Sequence, residues 1–462
     1  MKENWEGKQV LVIGAARQGL ATARFLCLRG ATVILNDRRK SDELHISSEW
    51  LKNLKIRWVV GSHPIDLLDQ TDYVCLSGGI PLDLPIIIEA KKRMIPLIND
   101  TEIFMREVPC QTIGITGSAG KTTTTSLVGK IAQTAFEGST KKVWVGGNIG
   151  DPLLNYVDEM HPDDFAVLEI SSFQLDQMTR SSDIAAVLNI TPNHLDRHKT
   201  MEKYIAAKSR LLDFQTSENT AILGRDDPGS WSLRGKVKGK LLSFGFSILA
   251  PGSNGIQFID GKYTLKMDSE EKVLCTQDDV QLRGSHNQLN VMASCLIAST
   301  AGITEKAIQA GVRGFSGVAH RLEFVRTWGG ADWYNDSIAT APERTMAAIH
   351  AFDRPIVILL GGRDKDLPWD SLTGLIQDRV SQVVLFGEAT NLIELALDQI
   401  PESNRHFSVS RCKGLQEAIL SASRLVKPGD VVLLSPGGTS FDEFCDFEER
   451  GERFRKWVQE LS

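Results

Sequence analysis

No two cysteines form a Cys-x-x-Cys pair: the seven, at 27, 75, 110, 275, 295, 412 and 445, are scattered singly and odd in number. That pattern suggests neither a zinc ribbon nor a disulfide framework, and a reducing cytoplasm is the compartment that fits. Long hydrophobic runs are missing too. None approaches the roughly 20 residues that span a bilayer, and the apolar run 10–13 is interrupted by Arg17 and Gln18, too soon for a secretion signal. Nor is there a basic surplus. With 52 Lys and Arg against 58 Asp and Glu, the net charge is -6, so bulk electrostatics will not hold a nucleic acid or a membrane surface. Any polyanion must be bound locally. Low-complexity segments and short-period repeats are absent as well. What remains is a chain of 462 residues with ordinary globular composition, by length about three domains, each large enough to bury a core.

The strongest positive signal lies at 112–123, where an apolar strand runs into Gly117-Ser118-Ala119-Gly120-Lys121-Thr122-Thr123. Glycines let the backbone curl so that successive N–H groups point at an anion. The next helix adds its positive end, Lys121 a point charge, and the Thr122 hydroxyl a ligand for Mg²⁺. Leu127, Val128, Ile131 and Ala135 recur at the spacing of that helix. The general phosphate-loop pattern has glycine six residues before the lysine; here that position is Ile115, with glycines at 114 and 117. A glycine turn that binds nothing is the competing reading, and a Gly-Lys-Thr run placed directly after a strand argues against it.

A weaker signal precedes it. Residues 9–13 predict a strand that turns through Gly14-Ala15-Ala16-Arg17-Gln18-Gly19 into a helix, and a second strand at 31–35 ends at Asn36-Asp37-Arg38-Arg39. This is a nucleotide-binding βαβ pattern, with an acid placed to accept from a ribose or a base. Ala16 stands where a dinucleotide fingerprint has its second glycine, so NAD is disfavoured and a nucleotide held by base and ribose is expected; a ligand-free α/β unit is the alternative. A strand at 73–76 then ends at Ser77-Gly78-Gly79, where backbone is open to a ligand.

After the phosphate loop, apolar runs at 143–147, 165–169 and 184–190 deliver Asn148, Glu169 and Thr191-Pro192-Asn193-His194. Ligands of parallel sheets bind at the carboxyl ends of the strands, so Asn148, Glu169 and His194 are expected on the edge that carries Lys121. His194 and His198 are four apart, but no glutamate follows His194, and zinc is not expected. A helix starts near Tyr204 and carries Lys208 and Arg210; from the residues alone, a solvated basic face is the ordinary reading. Residues 220–283 suggest small antiparallel strands, and 286–296 a helix. A third unit starts near 317, with strands at 333–334, 356–360, 383–386 and 431–434. The expected fold class is α/β, three consecutive domains with mainly parallel sheets: Rossmann-like 1–108, a phosphate-loop domain 109–316, and Rossmann-like 317–462.

In order along the chain stand Thr116-Gly117-Ser118-Ala119-Gly120-Lys121-Thr122, Glu169-Ile170-Ser171-Ser172-Phe173-Gln174, His194-Leu195-Asp196-Arg197-His198 and Ala206-Ala207-Lys208-Ser209-Arg210. His286-Asn287 with Asn290, His320-Arg321 with Glu323, Asn335-Asp336-Ser337, Ser440-Phe441-Asp442-Glu443-Phe444 and Phe447-Glu448-Glu449-Arg450-Gly451 follow. Together they resemble the Mur ligase family over nearly the whole chain, and the variant phosphate loop is that family's own form. Leu360-Gly361-Gly362-Arg363-Asp364-Lys365 resembles the D-glutamate-adding branch; the Asn-Pro-Arg signature of the branch adding a diamino acid is absent.

The resemblance implies an ATP-dependent acid–amino-acid ligase of peptidoglycan synthesis, acting through an acyl phosphate on UDP-N-acetylmuramoyl-L-alanine and D-glutamate. It implies a cytoplasmic monomer without nucleic-acid or membrane partners. Gly117, Gly120, Lys121, Thr122 and Thr123 would hold ATP phosphates, with Asn290, Arg321 and Asp336 at the nucleotide. Lys121, Glu169, His194 and Lys208 would be catalytic, Thr122 and Glu169 serving one Mg²⁺, His194 and Lys208 a second, the lysine as a carbamate. Arg17, Gln18, Asp37, Arg38, Arg39 and Gly79 would surround uracil and phosphate, and Asn148, Ser171 and Gln174 the sugar and alanyl part. Lys365, Ser440, Phe441 and Phe447 would hold D-glutamate. The chain departs from the family at Ile338, Ala341, Gly78 and Asn193, where Lys, Asn, Pro and Asp are usual; the first two remove a cation and an amide near the acceptor. A folylpolyglutamate synthase, a nucleotide-switch ATPase and a dinucleotide-dependent oxidoreductase stand as alternatives.

Overall fold

The computed structural model describes residues 3–41, 44, 54–268, 270–282, 284–365 and 367–462. Three sheets follow one another along the chain. The first contains β1 (Gln9–Ile13), β2 (Thr32–Asp37), β3 (Ile56–Val60), β4 (Tyr73–Leu76) and β5 (Leu97–Asn99), in the order β3-β2-β1-β4-β5 and wholly parallel. Val10 and Val12 enter one core cluster, Leu11 and Ile13 another. Successive side chains of a strand point to opposite faces, so a strand covered on both sides reads as an unbroken apolar run. The strand order reverses between β1 and β4, and loops leaving their carboxyl ends face a common crevice.

The second sheet contains β6 (Gln111–Thr116), β7 (Val143–Gly147), β8 (Phe165–Glu169), β9 (Ile184–Val187), β10 (Thr220–Gly224), β11 (Lys240–Gly245), β12 (Gly255–Ile259), β13 (Lys262–Met267) and β14 (Glu270–Thr276). Their order is β14-β13-β12-β11-β10-β9-β6-β8-β7. From β7 through β12 every neighbour is parallel, and antiparallel pairing is confined to β12–β13 and β13–β14. The antiparallel reading of 220–283 thus holds for the pairings within 255–276 and is corrected for β10 and β11, which pair in parallel. Ala221, Ile222 and Leu223 are wholly buried as an interior parallel strand requires, but their crossover holds only the short turns Pro228–Trp231 and Ser232–Lys236, which lack the pattern of a long helix.

The third sheet contains β15 (Glu323–Trp328), β16 (Ala331–Asn335), β17 (Ile356–Gly361), β18 (Val380–Phe386), β19 (Ser408–Arg411) and β20 (Val431–Gly437), ordered β15-β16-β20-β17-β18-β19. Only β15–β16 is antiparallel. The architecture is thus α/β in three domains with mainly parallel sheets.

By packing, the chain divides into two compact units, Met1–Phe315 and Ser316–Ser462. The first two sheets belong to one unit because they share a core, which runs from Trp5 and Val12 through Leu154 and Leu168 to Leu233. Polar bonds cross the same seam: Gln18 Nε2 donates to the Gly147 carbonyl at 3.0 Å and Asn99 Nδ2 to the Gln174 carbonyl at 2.7 Å. No helix among the described residues is long and apolar enough to cross a membrane.

Candidate active site

The phosphate loop leaves β6 at Thr116 and enters the helix Lys121–Ala135 through Gly120, whose φ is +84°. A Cβ at Gly120 would lie 2.2 Å from Asn290 Oδ1, so glycine is required both for the backbone angle and for the close approach of helix Ser285–Thr300. Asn189, just past β9, clamps the loop: its Oδ1 accepts from Ala119 N at 2.8 Å and its Nδ2 donates to the Ala119 carbonyl at 3.0 Å. Ser118 Oγ donates to the Thr191 carbonyl at 2.9 Å and lies 3.0 Å from Tyr204 Oη. Sequence reasoning singled out neither Asn189 nor Tyr204; a polar side chain directly after an apolar strand was the only signal.

Two lysines meet at this loop. Lys121 Nζ donates to the carbonyls of Gly117 (2.8 Å) and Ser118 (3.3 Å). Lys208 Nζ donates to the same Gly117 carbonyl at 2.9 Å and to Thr116 Oγ1 at 3.3 Å. With Lys208 only 1% exposed, burial first and the Lys121 charge second push its pKa well below the ordinary lysine range, and Glu169 pulls the other way. The solvated-face reading of Lys208 is therefore corrected. In helix Met201–Asp213, Tyr204, Lys208, Leu211 and Leu212 are all buried, and that spacing of three and four puts the lysine on the apolar side.

Glu169, at the end of β8 and 2% exposed, accepts from Thr122 Oγ1 on one oxygen (2.7 Å) and from Asn148 Nδ2 on the other (2.9 Å). Thr123 follows in the same first helical turn. Hydroxyl, carboxylate and amide oxygen are hard donors of the kind that suit Mg²⁺, which keeps several waters and takes few protein ligands. Among the described residues no group of three or more His, Cys, Asp or Glu side chains is assembled to hold a metal by itself.

His194 is exposed, sits at φ +53° and starts the single turn Leu195–His198. Its ring meets Phe173 edge-on at 5.1 Å, while His198 stacks on Phe173 at 5.4 Å and bonds Ser172 Oγ at 2.9 Å. The Arg197 guanidinium also covers Phe173, at 4.0 Å, and donates to the Ile80 carbonyl at 2.7 Å, which ties this turn to the loop after β4. Ser171 and Gln174 form a capping box on helix Ser172–Leu175, and Gln174 Nε2 donates to Thr101 Oγ1 at 2.8 Å. Gln174 thus takes part in the seam between the first two sheets, and Ser171 holds it in place.

At the crevice of the first sheet, Asp37 Oδ2 accepts from Ala15 N at 2.8 Å and from Arg39 Nη2 at 2.9 Å. Burial alone would raise its pKa, but the Arg39 side chain and the N–H groups of Ala15 and Arg39 outweigh it and hold the carboxyl at about 2. Arg17 and Arg38 are exposed. Gly79, at φ +94°, has open space where a side chain would stand.

In the second unit, Asp336 follows β16 and accepts from Ser435 Oγ at 2.8 Å and Leu322 N at 3.2 Å. Burial raises its pKa to about 7 against these bonds and the charges of Arg321 and Arg344. The neighbouring backbone is strained, with φ +62° at His320 and +44° at Leu322. Arg363 N donates to the Thr439 carbonyl at 2.8 Å, which sets the loop of Lys365 beside that of the buried Ser440. Lys365 Nζ reaches Thr340 Oγ1 at 3.2 Å. Phe441 is 60% exposed, and the Phe447 ring stands 6.2 Å from that of His320. Sequence reasoning gave Arg450 no role. It is fully buried and joins the loops after β16 and β20 by bonding Ser337 Oγ (3.0 Å), the Ser337 carbonyl (2.9 Å) and the Gly438 carbonyl (3.1 Å).

The structure therefore brings Lys121, Thr122, Glu169, Asn148, Lys208 and Asn290 to one edge of the first unit, and Asp336, Lys365 and Ser440 to one edge of the second. Comparison with known proteins gives a consistent picture. Residues 8–99 match the Mur ligase MurD-like N-terminal domain, 115–298 the Mur ligase middle domain, and 320–438 the Mur ligase glutamate ligase domain. The UDP-N-acetylmuramoylalanine--D-glutamate ligase of Syntrophus aciditrophicus (strain SB) is 39% identical over 456 residues, 98% of each chain. The protein of the same name from Koribacter versatilis (strain Ellin345) is 37% identical over 457 residues, 99% of this chain and 98% of that one. Among solved structures, UDP-N-acetylmuramate-alanine ligase MurC from Thermotoga maritima superposes with a TM-score of 0.53 at 17% identity, over 98% of this chain and 99% of that one; at that identity the likeness concerns the fold. The chain belongs to the Mur ligase family.

Proposed function

We infer that this chain is an ATP-dependent amide ligase that joins D-glutamate to UDP-N-acetylmuramoyl-L-alanine in peptidoglycan synthesis. The observation that carries the reading is the convergence of Lys121 and Lys208 on the Gly117 carbonyl, beside the Thr122–Glu169–Asn148 chain. It supports phosphoryl transfer to a carboxylate, and the full-length relatives supply the substrates.

An unactivated carboxylate does not acylate an amine near neutral pH, because its leaving group would be oxide or hydroxide. In the reaction we assign, a carboxylate oxygen of the alanyl end attacks the γ-phosphorus of ATP and the bond to ADP breaks. The amino nitrogen of D-glutamate then attacks the acyl carbon, inorganic phosphate leaves, and the amine's proton goes to solvent. Gly117, Gly120, Lys121, Thr122 and Thr123 hold the phosphates, and the Lys121 ammonium offsets the charge of the transferring group. Asn290, Arg321 and Asp336 serve the nucleotide. Thr122 and Glu169 would hold one Mg²⁺ and His194 and a carbamylated Lys208 would serve a second; bound there, Mg²⁺ would neutralise phosphate charge. An ammonium cannot ligate a cation. The depressed pKa of Lys208 favours the neutral amine, which can add to CO₂, release a proton and become an anionic carbamate.

Arg17, Gln18, Asp37, Arg38, Arg39 and Gly79 take the uridine diphosphate, and Asn148, Ser171 and Gln174 lie toward the sugar and alanyl part. Lys365, Ser440, Phe441 and Phe447 take D-glutamate. The functional domains are 1–108, 109–316 and 317–462, in a monomeric cytoplasmic enzyme. ADP release by the purified chain tests the reading: it should require both UDP-N-acetylmuramoyl-L-alanine and an amino acid. Turnover of ATP with neither present would instead mark a nucleotide switch.

A further inference from the structure

We infer that Arg344, whose guanidinium bonds the Ile338 carbonyl, is the second cation of the D-glutamate site; the inference deepens the proposed function and rests on it. Lys365, Arg344 and Arg450 lie around the loop between β16 and helix Pro342–Ile349. One of them, Arg450, is buried, with its guanidinium bonded to Ser337 and Gly438, and is structural. Lys365 is bonded to Thr340 Oγ1. Arg344, exposed in the first turn of the helix, folds back so that Nη1 donates to the Ile338 carbonyl at 3.3 Å. Its guanidinium therefore lies against the backbone of residue 338 itself.

The electrostatics agree with that geometry. After burial, the charges of Arg344 and Arg450 are what lower the pKa of Lys365, so these cations act on one another directly. Among the described residues neither Lys365 nor Arg344 is ion-paired with a carboxylate. Asp336, buried at this edge, feels the Arg344 charge but accepts its hydrogen bonds from Ser435 Oγ and Leu322 N. Like charges gathered at one edge repel, and a ligand carrying two negative charges relieves that repulsion. D-glutamate has two carboxylates. Arg344 offers a planar fork that can hold one of them with two parallel bonds, and Lys365 offers a point charge for the other.

The test measures KM for D-glutamate, ATP and UDP-N-acetylmuramoyl-L-alanine in the wild type and three variants. Arg344→Gln should raise KM for D-glutamate by roughly tenfold to a hundredfold, the loss expected for a charged hydrogen-bonded contact. Its kcat and its other two KM values should stay within about twofold. Arg344→Lys should recover part of the loss. Adding Ile338→Lys to Arg344→Gln should recover part of it, because a lysine at 338 returns a positive charge to the same loop. An unchanged KM for D-glutamate in Arg344→Gln, or a fall in kcat with all three KM values unmoved, overturns the inference while leaving the proposed function standing. A wild type that forms no amide overturns both.

Discussion

The phosphate-loop edge of the second sheet and the acceptor edge of the third both collect cations after parallel strands, yet they hold them in opposite ways. At Gly117 two lysine side chains donate to one carbonyl inside a loop clamped by Asn189, and Lys208 is almost wholly buried. Around Thr340, Arg344 is exposed and Lys365 makes one side-chain bond. Burial changes what a group is, exposure what it can meet. A dry, fixed site strengthens every charge it contains and suits a transferring phosphoryl group. An open pair of cations suits a small dianion that must enter as substrate and leave as product.

If the first edge works by fixed charge, Lys121→Ala should show the largest effect, a loss of ADP formation of roughly a thousandfold or more. Thermal unfolding should barely change, since losing the Lys121 charge also relieves the buried Lys208 beside it; near-normal turnover would break the contrast between the edges. Lys208→Ala comes next, with a loss on the order of a hundredfold. Added formate or acetate should restore part of the activity by placing an anion where the carbamate would stand. Lys208→Arg working as well as wild type would show that a permanent cation suffices.

On the acceptor edge the effect should be smaller and confined to one substrate. Lys365→Ala should raise KM for D-glutamate by roughly ten- to a hundredfold and leave KM for ATP unaltered, and equal rises in both would erase the division of labour. The smallest effect concerns Asp336. Its folded pKa of about 7 lies above the ordinary carboxyl value, so its contribution to stability is fully present below about pH 4 and is lost as pH rises through 7. Urea unfolding of Asp336→Asn should therefore show a gain over wild type, on the order of 1 kcal/mol or more, that grows from pH 5 to 8. A pH-independent difference would place the titration elsewhere.

The interior strands were legible in the sequence because they are buried on both faces. Phe165–Glu169 and Tyr73–Leu76 were readable to the residue, and so was the edge strand Val143–Gly147, whose run carries no charged side chain. Four strands were not: β3, β5, β15 and β19 all lie at sheet edges, where one side lacks a partner strand and polar residues such as Arg57, Glu323 and Ser408 break the apolar run. Motif residues were visible through their chemistry, but not their burial. The spacing of Tyr204, Leu211 and Leu212 puts Lys208 on the apolar side of its helix, but what it bonds there is a loop 92 residues earlier in the chain, which no local pattern reveals. Asn189 and Arg450 were missed for the same reason: each acts by joining loops that only the sheets bring together.

Amide formation with purified protein, ATP, UDP-N-acetylmuramoyl-L-alanine and each enantiomer of glutamate tests the account most directly. Lys365, Arg344 and Ser440 can fix the two carboxylates of one enantiomer while its amine reaches the acyl carbon; inversion at that centre swings the amine away, and a misplacement of about 1 Å at a reacting atom costs roughly a hundredfold. The account predicts product with D-glutamate and little or none with L-glutamate or D-aspartate. Equal rates with D- and L-glutamate, or no amide with any of them, would contradict it.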